Sequence, residues 1–93
     1  EGMATRRPAE MTLDILRQLM DDAVTVSDAA LRSAARCLLE ETHNLAEGAG
    51  AASLAAAFQL KDRLAGKTVV GILSGGNLDL AQLPQILASE PES

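Results

Sequence analysis

Ninety-three residues are enough for one small domain, and 8 basic against 13 acidic residues leave a formal net charge of -5 at pH 7. That balance offers no basic footprint for a phosphate backbone or an anionic lipid surface, and no apolar run has transmembrane length, so neither nucleic acid nor membrane is an expected partner. Cys37 is the single cysteine, nothing has zinc-site spacing, and Phe58 is the only aromatic residue; a reducing, cytoplasmic compartment is the expectation, with no stacking platform for bases.

The chain opens Glu1-Gly2 with its first methionine at position 3, which suggests a piece of something larger. Pro8 is placed for the first turn of a helix, with Glu10 near the positive end of its dipole. Leu13, Leu16 and Met20, widened by Ile15 and Leu19, make residues 9 to 20 amphipathic. Asp21-Asp22 closes that helix, and Ala23-Val24-Thr25-Val26 is β-prone enough for a brief strand or extended link. Ser27 or Asp28 offers a cap for a second helix over about 29 to 42, whose buried face is Leu31, Ala34, Ala35, Leu38 and Leu39. Cys37 and His43 lie near that face and at its end, without a catalytic partner, and are taken as structural.

The third helix, 48 to 64, is nearly all small residues in its first turns. Alanine favours the helix but buries little area, so this end must be stabilised by close approach to other backbone. Gly66 suits the left-handed position that ends it. Thr68-Val69-Val70-Gly71-Ile72-Leu73 then runs apolar without period-2 alternation, the pattern of a strand buried on both faces in a parallel sheet. Ser74 would sit at its carboxyl end, where open α/β sheets face their ligands, and Gly75-Gly76 lets the backbone approach a bound group closely. Asn77 or Asp79 can cap a last helix carrying Leu80, Leu83, Ile86 and Leu87, kinked by Pro84 unless that proline falls in its first turn. Residues 89 to 93 have the composition of a disordered tail.

Two stretches, Glu47-Gly48-Ala49-Gly50-Ala51-Ala52 and Leu73-Ser74-Gly75-Gly76-Asn77-Leu78-Asp79, resemble the carboxy-terminal part of the threonine dehydratases (threonine ammonia-lyases) and serine racemases. Glu1-Gly2-Met3-Ala4-Thr5-Arg6 and Asp21-Asp22-Ala23-Val24-Thr25-Val26-Ser27-Asp28 resemble the same family, in the same order, so the likeness covers almost the whole chain. It implies an α/β protein: a helix-rich, carboxy-terminal part of one catalytic domain of the open parallel-sheet, tryptophan synthase beta-like pyridoxal-phosphate fold (fold type II), with residues 68 to 73 as one clear buried strand.

What the resemblance implies about the site follows residue by residue. The serine of Ser-Gly-Gly-Asn hydrogen-bonds the pyridine nitrogen of pyridoxal phosphate in the family, which carries over to Ser74; unlike a carboxylate, a neutral hydroxyl cannot hold that nitrogen protonated. Glu47 opens the Glu-Gly-x-Gly motif and corresponds to a glutamate beside the cofactor ring. Its place at a helix start has an equally good plain explanation, since the dipole favours a carboxylate there by about 0.3 to 1 kcal/mol. Gly2 resembles a backbone position on the substrate side. The family's Schiff-base lysine, asparagine loop, phosphate loop and activating-metal ligands belong to upstream segments without counterparts in this sequence, and Lys61 and Lys67 are taken as surface charges.

The expected function is therefore a segment of an ammonia-lyase that deaminates L-threonine or L-serine to a 2-oxo acid, inactive by itself and completed by the remainder of its catalytic domain in a homo-oligomer. Serine racemisation is the alternative within that class. From a different class, a self-associating helical interaction module would explain the alanine-rich helix but not Ser-Gly-Gly-Asn after a buried strand.

Overall fold

The computed structural model describes residues 9–89, and every regular element among them is helical. Gly2 and Pro8 lie outside the described residues. Helix α1 spans Glu10–Leu19, α2 Asp28–Thr42, α3 Ala52–Gln59, α4 Lys61–Leu64 and α5 Leu83–Leu87; short 3-10 turns at Ala49–Ala51 and Leu80–Gln82 lead into α3 and α5.

Local chemistry sets most of these boundaries. Ser27 caps α2, its Oγ accepting the Ala30 N–H at 3.0 Å, which satisfies one of the free donors of the first turn. His43 closes α2 in the left-handed region at φ 58, and the Asn44 N–H turns back to the Leu38 carbonyl at 3.4 Å. Gly66, at φ 76, ends α4 as its lack of a side chain allows. Asp79 rather than Asn77 caps the last helical stretch, its Oδ1 accepting the Ala81 N–H at 3.0 Å. Pro84 falls in the first turn of α5, where its missing N–H costs nothing, so no kink forms.

Helix α2 is the centre of the packing. It lies against the Ala49–Ala51 turn, α3 and α5, and the buried set is Leu31, Ala34 and Ala35 with Ala46, Ala51, Ala55 and Ile86. Small residues thus meet small residues, and backbones approach closely as the alanine-rich sequence requires. The last turn is tied back to α2, because the Arg36 guanidinium donates to the Ser89 carbonyl as well as to Glu40. Ser89, assigned from composition to a disordered tail, is therefore held; 90–93 lie outside the described residues.

One expectation needs correction. Residues 68–73 do not form a buried strand: Val70 is 86% and Ile72 74% exposed, and no strand occurs among the described residues. A parallel strand needs hydrogen-bonding neighbours on its flanks; here α3 covers one side and nothing described flanks the other. Residues 23–26 form a link without regular structure, the second of the two readings their sequence allowed. Helix α1 is amphipathic as expected but packs on no other helix among the described residues, leaving Met11, Ile15, Leu16 and Leu19 exposed. The accessible surface of 7199 Å² accordingly exceeds the roughly 5,100 Å² expected of a compact monomer of 9.7 kDa.

Candidate functional site

Glycines bring the two sequence motifs together. The Glu47 N–H donates to the Gly75 carbonyl at 3.2 Å. A Cβ at Gly50 would stand 2.2 Å from that same carbonyl oxygen, and one at Gly76 would stand 2.4 Å from the Leu45 carbonyl oxygen. Backbone is in contact with backbone at both points, and only glycine leaves room for it. Residues 45–50 and 75–76 are thereby clasped, although some 28 positions separate Glu47 from Gly75.

That clasp sets Glu47 beside Ser74. The Glu47 carboxylate lies over Gly75, its Oε1 3.0 Å from where a Cβ on that glycine would be. Ser74 itself is exposed, and its hydroxyl makes no hydrogen bond among the described residues. The segment also changes surroundings at this point. Before Ser74, Val69, Val70 and Leu73 line an apolar groove of about 580 Å³ with Leu38, Leu54 and Leu64. After it, Asn77 joins Glu47, Asp28 and Arg32 of α2, and Gln85 and Ile86 of α5, around a polar-rimmed cleft of about 310 Å³. Ser74 lies in sequence between the residues that line the two concavities and lines neither itself.

Of the residues singled out from sequence, Ser74 and Glu47 are brought together; Gly2 lies outside the described residues. Lys61 and Lys67 are exposed, and neither lines the cleft. Burial pushes the Cys37 thiol above its ordinary value, reinforced by the Glu41 and Glu40 carboxylates. That makes it a poorer nucleophile at neutral pH. No cluster of three or more His, Cys, Asp or Glu side chains suited to a metal occurs among the described residues. One polar residue escaped the sequence reading: the Ser53 hydroxyl, on α3, donates to the Ile72 carbonyl at 2.9 Å, two residues before Ser74. Ser53 is the only hydroxyl in the alanine-rich run 49–57, yet nothing in the sequence names its partner 19 residues away.

Residues 1–75, which include both Glu47 and Ser74, match the family model described as pyridoxal-phosphate dependent enzyme. The chain belongs to this family. Among curated relatives, L-threonine dehydratase catabolic TdcB of Escherichia coli strain K12 is 36% identical over 88 residues, which are 92% of this chain and 27% of that protein. L-threonine ammonia-lyases of Geobacter sulfurreducens and Thermotoga maritima are 40% and 33% identical over 88 and 87 residues, 94% of this chain in both cases and 22% and 21% of theirs. The chain thus spans only about a fifth to a quarter of the length of these relatives. No solved structure matches it.

The described residues fit one part of the family's cofactor. Ser74 carries an unengaged hydroxyl that a ring nitrogen could accept from, and the Gly50–Gly75 contact leaves no room for a side chain at either glycine. No described helix is long and apolar enough to cross a membrane.

Proposed function

We propose that the protein bearing this chain is a pyridoxal-phosphate-dependent threonine dehydratase, converting L-threonine, or L-serine, to a 2-oxo acid and ammonia. The observation that carries the reading is the 33–40% identity to threonine dehydratases and ammonia-lyases over 92–94% of the chain. Bound pyridoxal phosphate would supply the electron withdrawal that acidifies the amino acid's α-hydrogen and lets its β-hydroxyl depart. The role of this chain is the pyridine side of that site. Ser74 Oγ–H would donate to the ring nitrogen and keep its own proton, so the ring stays neutral at that atom. Glu47 would hold its carboxylate at the ring's flank. Gly2 would line the substrate side.

In this reading residues 1–93 form the carboxy-terminal part of a fold-type-II catalytic domain. The remainder of that domain would cover the exposed faces of α1 and of 69–73, within a cytoplasmic homo-oligomer. Those faces are also what a self-associating helical module would present, and that second reading predicts association without any cofactor chemistry.

The test is made on the full-length gene product. Purified with pyridoxal phosphate, it should release 2-oxobutanoate from L-threonine or pyruvate from L-serine. Ser74→Ala should stay folded yet weaken cofactor retention by about 1–3 kcal/mol, the cost of an unpaired polar atom in a desolvated site. Absence of 2-oxo acid from either substrate, or unchanged cofactor affinity and turnover in Ser74→Ala, would remove the activity or the residue from the proposal.

A further inference from the structure

We propose that Ser53 is a positioning residue for Ser74, a role that rests on the reading of Ser74 as the partner of the pyridine nitrogen. Ser74 is flanked by two backbone acceptors, Ile72 O two residues before it and Gly75 O one residue after it. Both are held from the single stretch that begins at Glu47 and continues into α3. Gly75 O receives the Glu47 N–H at 3.2 Å, and Ile72 O receives the Ser53 hydroxyl at 2.9 Å. The two bonds form a clamp whose jaws stand on one rigid turn-and-helix unit, with Ser74 between them.

The choice of partner by Ser53 is informative. A serine within a helix ordinarily returns its hydroxyl to the carbonyl one turn earlier. Ser53 instead spans 19 residues to Ile72. The contact is also seated sterically: a Cβ at Gly71 would stand 3.0 Å from Ser53 Oγ and 3.3 Å from its Cβ, so glycine at 71 lets the chain lie on the serine. Ile72 is 74% exposed and its side chain contributes little anchoring. The hydroxyl therefore adds a directed hold on the Ile72 peptide to the apolar contacts that Val69, Val70 and Leu73 make in the groove. Losing it frees the peptide leading into Ser74, and the Ser74 hydroxyl then samples directions away from the ring nitrogen.

The experiment uses the full-length protein with bound pyridoxal phosphate labelled with nitrogen-15 in the ring. Three variants are compared: Ser53→Ala, the near-isosteric weak donor Ser53→Cys, and Ser53→Thr, which keeps the hydroxyl. Ser53→Ala and Ser53→Cys should raise amide exchange at Leu73, Ser74 and Gly75 by about three- to ten-fold, the worth of one neutral hydrogen bond. They should also move the ring-nitrogen resonance in the direction that Ser74→Ala moves it, by a smaller amount, and Ser53→Thr should restore both readouts. Unchanged exchange in Ser53→Ala and Ser53→Cys would overturn the clamp. Faster exchange with an unmoved ring resonance, where Ser74→Ala does shift it, would reduce Ser53 to a structural clip and overturn the positioning role. A resonance that ignores Ser74→Ala as well would bring down the reading of Ser74 itself, whatever the exchange data show.

Discussion

Two glycines of one motif, Gly48 and Gly50, should respond to the same substitution with opposite signs. In Gly50→Ala the new methyl would meet the Gly75 carbonyl oxygen at 2.2 Å, the Gly75 nitrogen at 3.0 Å and its carbonyl carbon at 3.2 Å. All three are backbone atoms, so no side-chain rotation relieves the clash, and the 2.2 Å separation must open by more than an ångström to reach ordinary contact at 3.4 Å. Overpacking of this kind costs roughly 1–3 kcal/mol. Opening the clasp also breaks the bond from the Glu47 N–H to Gly75 O, worth about 1 kcal/mol. Together these give a loss of about 2–4 kcal/mol, or a fall of at least about 8 °C in Tm for a domain of this size. Gly48 has nothing within 4 Å of its prospective Cβ and already has helical angles of φ -54 and ψ -47. Gly48→Ala should therefore be neutral or stabilise by up to about 1 kcal/mol, through helix propensity and a less flexible unfolded chain. Urea and thermal unfolding of both variants beside the parent decide the matter. If Gly50→Ala unfolds with the parent, or both alanines shift stability alike, the Gly50–Gly75 contact is not what joins the two motifs.

Three further outcomes are expected. His43→Gly should raise stability by about 0.5–1 kcal/mol in urea unfolding, because His43 holds φ 58 at the end of α2, where a side chain is penalised; a loss would mean that the imidazole makes a contact worth more than the strain. The raised Cys37 thiol predicts stability that is full below the ordinary thiol value, where folded and unfolded chains both hold the proton, and that falls as pH rises toward the raised value, because the unfolded chain ionises first. Urea midpoints compared with Cys37→Ala should show that downward slope only in the parent. Residues 1–93 on their own should not retain pyridoxal phosphate through gel filtration, since neither described lysine lines the cleft beside Ser74; stoichiometric labelling of Lys61 or Lys67 after borohydride would refute this.

What the sequence made legible was chiefly local. Ser27, Asp79 and Gly66 each act through their own backbone or the next turn, and each ends or starts a helix where its chemistry says it should. The small-residue run from 49 onward predicted close backbone packing without naming the partner, and the partner is α2 with Ala34 and Ala35. Residues 68–73 misled because an apolar run records what a segment tolerates on its faces, whereas a strand depends on neighbours that the run does not encode. Helix α1 shows the same gap: its periodicity marks an apolar face, and no described element covers it. At the site, the resemblance joined Glu47 to Ser74, while the physical join through Gly50 and Gly75 is a contact between distant stretches that no periodicity announces. Ser53 was missed because a lone serine in a helix has an ordinary local partner, and only the fold reveals that it uses a distant one.

The arrangement around Ser74 explains why such a site can be specified with so little side-chain bulk. Five of the seven buried apolar residues are alanine, so large side chains cannot act as wedges that hold one element against another. Position is instead set by backbone groups meeting at short range: Glu47 N to Gly75 O, Gly50 against the Gly75 carbonyl, and Gly76 against the Leu45 carbonyl. Contacts of this type are steep in distance, because an added methyl collides with peptide atoms that cannot rotate away. A chain held this way keeps its course through peptide contacts, so one added methyl, as in Gly50→Ala, displaces it where a core of large side chains would repack.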